Sequence, residues 1–319
     1  MKRLLVALAA VASFPSSAQT YPSKPLRMVV PWPPGQATDI AGRIVAQKLS
    51  EQMGQPVIVD NRAGAGGAIG TDAVAKAAPD GYTILAASSG PVTISPLLQK
   101  VPYNVERDLA PVHLVAISPY LLVTHPSFPA ANIQEFINVV RANPGKYSFA
   151  SSGTGATAHL IAEYFNATAQ LKATHVPYKG SSPALTDLIG GQVDYSIETA
   201  AATLPHVKGG RLKAYGLSLA QGSQLAPDIP TFERAANMPG FDAGAWLGVM
   251  VPAGTPPAII ARLAAETDKM LKSTDVREKF AAGGLELFSG NPEAFAARLK
   301  IERERFEGII KRANIKVEP

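Results

Sequence analysis

Residues 26–43 read LRMVVPWPPGQATDIAGR and set the alternation of strand, loop and helix that later segments of the chain repeat. The apolar run Leu26–Val30 predicts a short strand, and Pro31–Gly35 predicts a rigid loop. Thr38 or Asp39 can cap a helix that continues to about Met53. Further strands are predicted at 57–60 and 82–87, on either side of a helix at 67–78. Because strands alternate with helices, we expect an α/β fold with parallel-rich sheets covered on both faces.

The chain repeats this plan after about residue 121, which indicates a second α/β unit. Two apolar segments, Val112–Thr124 and Ala245–Val251, are predicted to cross between the units. The helices predicted after residue 251 would then cover the first sheet. We expect a discontinuous first domain of residues 19–120 and 246–319 and a second domain of residues 121–245. Two sequential domains, without a return of the chain, are the alternative.

The composition is that of a folded protein rather than of a disordered one. Of 319 residues, 46% are hydrophobic and 17% are charged, and there is no cysteine. The absence of cysteine excludes disulfides, thiolate chemistry and cysteine-ligated metal sites. The formal net charge is only +5, and the basic residues are scattered without interleaved aromatic residues. Nucleic acid is therefore not expected as a partner.

The first 18 residues have the layout of a cleavable signal peptide. Lys2 and Arg3 precede the apolar run Leu4–Phe14, and small residues follow at Ser16–Ala18. The apolar run is shorter than the ~20 residues that a membrane-spanning helix needs. We therefore expect residues 1–18 to direct export from the cytoplasm and to be removed. No cysteine follows the run, so a lipid anchor is not expected.

Three loops that each join a strand to a helix form the candidate ligand site: Pro31–Asp39, Ser88–Thr93 and Ser151–Thr157. All three should lie at the carboxyl ends of parallel strands, where open α/β sheets bind ligands. They carry small hydroxyl residues and free backbone N–H groups at helix N-termini, and none contains Lys or Arg. Such loops suit a carboxylate, since N–H donors and the helix dipole both favour negative charge. Ordinary capping of helix ends is the alternative interpretation.

Catalysis, metals and cofactors find little support in the sequence. The five histidines show no zinc-binding spacing, and no G-x-S-x-G nucleophile motif is present. The glycine-rich segment Gly64–Gly70 lacks the third glycine and the following acid of a dinucleotide fingerprint. No catalytic residue, metal or cofactor is therefore predicted. A secreted α/β hydrolase, with Ser88 or Ser152 paired with His159, is the enzymatic alternative.

Six motifs, in order along the chain, resemble those of the Bug proteins, the periplasmic substrate-binding components of tripartite tricarboxylate transporters. They are PWPPGQATDIAGR at 31–43, NRAGAGG at 61–67, PDGYT at 79–83, SSGTG at 151–155 with His159-Leu160, VPYKGS at 176–181 and GGQVD at 190–194. The resemblance implies a two-lobed periplasmic-binding-protein fold of type II, with a two-strand hinge. It also implies a periplasmic location and a cleft that closes on a small carboxylate.

The resemblance further implies which residues contact the ligand. In such proteins loop amides, hydroxyl groups and ordered water hold the ligand carboxylate. Carried over to this chain, the candidate ligand-binding residues are Trp32, Gln36, Ala37, Thr38, Ser88, Ser89, Ser152, Gly153, Thr154, Thr157, Tyr178 and Asp194.

Two positions depart from the usual pattern of this family. The first loop reads Gly35-Gln36 where relatives usually have Gly-Gly, and the chain has Ile197-Glu198 where relatives tend to carry Phe-Asp. We expect ligand specificity to differ at these two positions.

The leading functional hypothesis is a monomeric carrier that captures a mono- or dicarboxylate and presents it to the membrane permease subunits of a tripartite transporter. The alternatives are the hydrolase above and a ligand sensor for a signalling partner. The sequence leaves the ligand open among citrate, C4–C6 dicarboxylates, amino acids and aromatic acids.

Overall fold

The computed structural model describes residues 21–313 and 315, except for the side chains of residues 312 and 313. The predicted signal peptide of residues 1–18 lies outside this range. Among the described residues, no helix combines the length and the apolar character needed to cross a membrane.

Eleven strands form two separate sheets in this part of the chain. They are β1 (Leu26–Val30), β2 (Val57–Asn61), β3 (Thr83–Ser88), β4 (Leu109–Ser118), β5 (Tyr120–Thr124), β6 (Ser148–Ser151), β7 (Thr174–Pro177), β8 (Tyr195–Thr199), β9 (Lys213–Leu217), β10 (Ala245–Pro252) and β11 (Glu286–Gly290). The first sheet has the order β11-β4-β10-β3-β1-β2, and the second has the order β7-β6-β8-β5-β9. Each sheet is the centre of one lobe.

Helices join and cover the strands. They are α1 (Ala37–Met53), α2 (Ala68–Ala75), α3 (Ser95–Leu98), α4 (Val105–Asp108), α5 (Ile133–Arg141), α6 (Thr157–Ala169), α7 (Ser181–Ile189), α8 (Ala200–Lys208), α9 (Phe232–Ala235), α10 (Pro257–Leu271), α11 (Thr274–Ala282) and α12 (Pro292–Ala313). Helix α1 shows how the sequence sets these bounds. Its buried face includes Ile44, Val45 and Leu49, and it ends at Gly54, whose φ of 69° favours glycine.

The predicted two-lobed α/β fold is confirmed, but both sheets are mixed rather than mainly parallel. Strand β1 pairs in parallel with β2 and β3, whereas β10 runs antiparallel to β3 and β4. In the second sheet, β6 pairs in parallel with β7 and β8, whereas β5 runs antiparallel to β8 and β9. Every antiparallel pair includes β4, β5 or β10, which are strands next to a crossing between the lobes.

The chain passes between the lobes at two places that lie side by side. Strand β4 ends at Ser118 in the first sheet, and β5 begins at Tyr120 in the second, with only Pro119 between them. The return leads from β9 in the second sheet to β10 in the first. The predicted domain boundaries at residues 120/121 and 245/246 stay a prediction.

The two lobes have different cores. Aliphatic residues such as Met28, Val45 and Leu247 dominate around the first sheet. The second lobe has an aromatic core, in which Phe136 packs edge-on against Tyr195, with ring centroids 5.1 Å apart. Helix α12 joins the lobes on one side, because its Phe306 and Ile309 pack with Leu160 of α6 and with Ile94, which precedes α3.

Candidate functional site

Two helices present their N-termini to the space between the lobes. Helix α1 starts after Gln36 in the first lobe, and α6 starts after Ala156 in the second. At neither N-cap does a side chain accept a hydrogen bond from the first turn. No N-cap side chain therefore occupies the N–H groups of either first turn. These groups form the positive end of each helix dipole and can bind a ligand between the lobes.

An inner chamber of about 20 Å³ lies between these two helix starts. Its lining comes from both lobes: Trp32, Gln36, Ala37, Thr38, Ser88, Tyr120, Ser152, Thr157, Ser181, Glu198, Thr199, Ala245 and Leu247. This lining contains many hydroxyl groups and no Lys, Arg or His. The volume is sufficient for about one water-sized group, so the lobes are closed on each other.

A larger outer cavity of about 250 Å³ shares Trp32 and Ser152 with the inner chamber. Its lining is Trp32, Gly64, Ala65, Gly66, Gln99, Ser152, Gly153, Thr154, Pro177, Tyr178 and Lys179. Lys179 supplies its cation. The two cavities are therefore adjacent, and residues of both lobes line each of them.

The structure brings together most of the residues that the sequence singled out. Trp32, Gln36, Ala37, Thr38, Ser88, Ser152 and Thr157 line the inner chamber, and Gly153, Thr154 and Tyr178 line the outer cavity. Ser89 lies directly behind the inner chamber, where its Oγ is 3.0 Å from Thr157 Oγ1. Their role in binding stays a prediction.

Asp194 is not among these residues, and the prediction that it lies in the cleft is wrong. It precedes β8, and its Oδ2 accepts hydrogen bonds from the N–H and the hydroxyl group of Ser148, at 2.7 and 3.0 Å. Ser148 begins β6, which runs parallel to β8. Asp194 therefore lies at the amino ends of these strands, whereas the cleft lies at their carboxyl ends.

Direct contacts hold the lobes together across the cleft. Gln36 Nε2 donates to Ser181 Oγ at 2.8 Å, and Ser95 Oγ donates to the Gly155 carbonyl oxygen at 3.0 Å. The glycine-rich segment of residues 64–70 also allows close contact between the lobes, because its glycines have no side chains. A Cβ at Gly66 would lie 2.6 Å from the Thr154 carbonyl oxygen, and the φ of Gly66 is +62°. Glycine at this position therefore allows the lobes to approach.

The loop before α1, residues 32–36, is held by one buried carboxylate. Asp39 is 2% exposed. Its Oδ2 accepts from the Gly35 N–H at 2.9 Å and from Arg43 Nε at 3.0 Å, and its Oδ1 accepts from Asn61 Nδ2 at 2.8 Å. Trp32 is fixed as well, because its Nε1 donates to Ser88 Oγ at 3.0 Å.

The loop before α6, residues 151–156, is held by two imidazoles. His175 Nε2 and Ser151 Oγ are 2.7 Å apart, and His159 Nδ1 accepts from the Gly155 N–H at 3.3 Å. The two rings stack with centroids 4.1 Å apart. Burial lowers the pKa of His159 to about 3, with His175 contributing, and lowers the pKa of His175 to about 4. Both rings are therefore neutral at neutral pH.

This arrangement does not assemble the hydrolase alternative. Ser88 Oγ accepts from Trp32, and His159 Nδ1 is taken by the backbone of its own loop. Within the described residues, no hydrogen bond joins His159 to Ser88 or Ser152. A nucleophile needs such a contact with its base.

The list of candidate ligand-binding residues omitted several lining residues, of which Glu198 and Ser181 matter most, although Glu198 was expected to alter specificity. Glu198 is 1% exposed, and its Oε2 accepts from Ser181 Oγ at 2.7 Å and from the Thr199 N–H at 3.3 Å. Burial raises the pKa of Glu198, and nearby polar groups of Ser181, Ser152 and Thr199 oppose this. The sequence signal for Glu198 was its position near the carboxyl end of the predicted strand, where ligands bind in α/β sheets.

Comparison with known proteins gives a consistent result. Residues 41–315 match the family model described as "Tripartite tricarboxylate transporter family receptor". Protein BugT of Bordetella pertussis is 40% identical over 316 residues, which cover 98% of this chain and 96% of BugT.

Solved structures agree with the sequence relatives. The periplasmic binding protein BugD is 33% identical, with a TM-score of 0.88 over 93% of this chain and 100% of BugD. A structure from R. palustris with adipate is 31% identical, with a TM-score of 0.89 over 93% of this chain and 99% of that chain.

Proposed function

This chain belongs to the tripartite tricarboxylate transporter receptor family, whose members are periplasmic solute-binding proteins rather than enzymes, and we propose that its interlobe cleft captures a small mono- or dicarboxylate. The liganded protein would deliver the acid to the permease subunits of a tripartite transporter. The observation that carries the proposal is the pair of uncapped helix N-termini, α1 and α6, which face one chamber from opposite lobes.

The chemistry of the lining supports an anionic ligand. A carboxylate in the chamber would receive N–H and hydroxyl hydrogen bonds from both lobes, and hydrogen bonds to a charged group contribute about 1.5–3 kcal/mol each. Each helix N-terminus adds about 0.3–1 kcal/mol. The adipate in the related R. palustris structure is a dicarboxylate, which agrees with this class of ligand.

Closure of the lobes follows from the same contacts. A ligand that binds both lobes stabilises only the conformation in which the lobes meet, so it shifts the population toward the closed form. The permease would then recognise that form. No bond of the ligand is broken in this cycle. We further propose export through the predicted signal peptide of residues 1–18 and action as a monomer. A ligand sensor would use the same closure, but would present the closed form to a signalling partner.

The experiment is a calorimetric binding screen with succinate, adipate, citrate, aspartate and benzoate on the protein without residues 1–18. At least one acid should bind saturably and be recovered unchanged. Thr38→Ala and Thr154→Ala should each lower the affinity for that acid by about tenfold, since a lost hydrogen bond to a charged group costs about 1.4 kcal/mol or more. Turnover of the ligand would instead support the hydrolase.

Two variants serve as matched controls. Thr168 is exposed on α6, where its Oγ1 donates to the Tyr164 carbonyl oxygen, so Thr168→Ala should leave affinity unchanged. Asp194→Asn should also leave affinity unchanged, because Asp194 lies at the far end of the strands. Affinity that is unchanged in Thr38→Ala and Thr154→Ala would contradict the proposed site.

A further inference from the structure

A chain of hydrogen bonds crosses the cleft and ends on a buried acid. Gln36 of the first lobe donates its Nε2 hydrogen to Ser181 Oγ at 2.8 Å, and Ser181 donates to Glu198 Oε2 at 2.7 Å. Gln36 and Ser181 are 145 residues apart in sequence. The two positions at which this chain departs from the usual family pattern, Gln36 and Glu198, are thus joined through one serine.

The two oxygens of Glu198 have different surroundings. Oε2 accepts two hydrogen bonds, from Ser181 Oγ and from the Thr199 N–H. Oε1 is fully buried and accepts no hydrogen bond from the described residues. An unpaired buried polar atom is costly, and the side chain that carries it lines the ligand chamber. Because donors already face Oε2, the oxygen that can carry a proton is Oε1.

The charges around Glu198 do not favour its ionised form. From the first lobe, Trp32, Gln36 and Ser88 face the chamber, and from the second lobe Tyr120, Ser152 and Thr157 do so. The titratable group among them is Tyr120, and burial raises the pKa of Tyr120, so it is neutral.

Charged side chains on α1, on α7 and at the outer cavity have other contacts. Asp39 of α1 binds Arg43 and Asn61, Asp187 of α7 accepts from Tyr178 at 2.6 Å, and Lys179 lines the outer cavity. An ionised Glu198 would therefore face a ligand carboxylate with no cation among the residues that line the inner chamber.

We propose that Glu198 is the neutral acid in the liganded protein and donates its Oε1 hydrogen to a carboxylate oxygen of the ligand. This subsite rests on the proposed function and deepens it, because it makes the carrier selective for acids without a positive charge at the buried end. When binding starts from ionised Glu198, one proton is taken up from water onto Oε1. Gln36 is a positioning residue, since it holds Ser181 as a donor to Oε2.

The alternative is that ionised Glu198 pairs with an ammonium group of an amino acid. The two cases predict opposite pH dependence. A neutral donor loses affinity as the pH rises, by up to tenfold for each pH unit above the pKa of Glu198. An ionised partner loses affinity as the pH falls instead.

The test is calorimetry with the tightest acid of the five-acid screen, from about pH 7.5 to about pH 9, where the carboxyl groups of these ligands are ionised. For the wild-type protein we expect affinity for succinate, adipate or citrate to fall toward high pH. Titrations in buffers of different ionisation enthalpy should show uptake of up to one proton. Glu198→Gln keeps a neutral donor, so it should bind at low pH within about threefold of wild type and show a flat profile with no proton uptake.

Two further variants separate the role of Glu198 from a general effect. Glu266→Gln removes a buried acid of α10 in the first lobe and should keep the wild-type pH profile. Gln36→Gly should shift the midpoint of the profile while binding at low pH persists. A flat wild-type profile, or a Glu198→Gln variant that keeps the slope, overturns the inference. The inference is also overturned if the wild-type protein binds aspartate and the Glu198→Gln variant does not. If wild type binds none of the five acids at any pH, it is the proposed function that fails.

Discussion

The loop before α1 and the loop before α6 face each other across the same chamber, but different chemistry holds each one. In the first lobe, a single carboxylate, Asp39, receives hydrogen bonds from Gly35, Arg43 and Asn61. In the second lobe, two neutral imidazoles hold the loop instead. His175 forms a hydrogen bond with the Ser151 hydroxyl group, and His159 accepts one from the Gly155 N–H.

The difference has a physical consequence for each loop. The carboxylate satisfies several donors at once, so its removal leaves several groups unpaired, one of them a backbone N–H next to the chamber. The imidazoles bond through single nitrogen atoms and depend on being unprotonated. The first loop is therefore vulnerable to the loss of one side chain, and the second loop is vulnerable to acid.

The strongest way to break this comparison is Asp39→Ala. We expect it to lower the free energy of unfolding by about 3 kcal/mol, because a buried charged acceptor with three donors is lost. Urea unfolding followed by circular dichroism measures this. The control is Arg43→Ala, which should cost about 0.5 kcal/mol because the Arg43 side chain is 51% exposed. Equal losses in the two variants would contradict the assignment of Asp39 as the central acceptor.

Acidification should affect the second loop. The unfolded chain protonates its imidazoles near pH 6.5, whereas the pKa of His175 is about 4 and that of His159 about 3 in the folded protein. The unfolded state thus binds more protons between pH 6.5 and pH 4, so the free energy of unfolding falls as the pH falls through that range. The loss is at most about 1.4 kcal/mol per pH unit and per group.

Variants identify the origin of that slope. His159→Phe keeps a ring for the stack but removes a titrating group, so it should reduce the slope of unfolding free energy against pH. His125→Asn changes a half-buried residue whose ring bonds only Ser127 among the described residues, and it should retain the slope. If His159→Phe kept the full wild-type slope, His159 would not be buried as a neutral base.

The smallest expected effect concerns the place where the two loop regions meet. Ser89 Oγ and Thr157 Oγ1 are 3.0 Å apart, and both side chains are buried. Ser89→Ala and Thr157→Val should each weaken acid binding by about fivefold, since a hydrogen bond that forms only when the lobes close contributes about 1 kcal/mol. The double variant should cost little more than either single variant. Strict additivity would show that the two groups act separately.

Much of the architecture could be predicted from residue patterns. Strand β1 has the predicted bounds, and α1 extends to Met53 as predicted. Loops at the carboxyl ends of β1, β3 and β6 were expected to face a cleft, because parallel strands end at the same edge of a sheet. The mixed pairing of the sheets was not visible, since strand direction depends on where the chain crosses between lobes.

In the candidate site, too, some features could be predicted from the sequence and others depend on the tertiary structure. Hydroxyl and amide groups in the loops could be found from the sequence, because loop composition and strand–helix order are local properties. Asp194 was misplaced although it belongs to a motif, and Glu198 was expected to alter specificity but was not among the candidate ligand-binding residues. The two residues are four positions apart along one strand segment, about 13 Å, so they lie at opposite ends of the sheet.

The sequence by itself predicted two α/β units, favoured two crossings between them and indicated candidate binding loops without cations, because periodicity and loop composition are read within a few residues. Only the tertiary structure decided that Gln36, Ser181 and Glu198 form one chain of hydrogen bonds and that Oε1 of Glu198 has no partner in the part of the chain that the structure describes. The reason is that burial and hydrogen-bond partners across the cleft depend on how the closed lobes pack. That packing is a property of the whole molecule, and no local pattern records it.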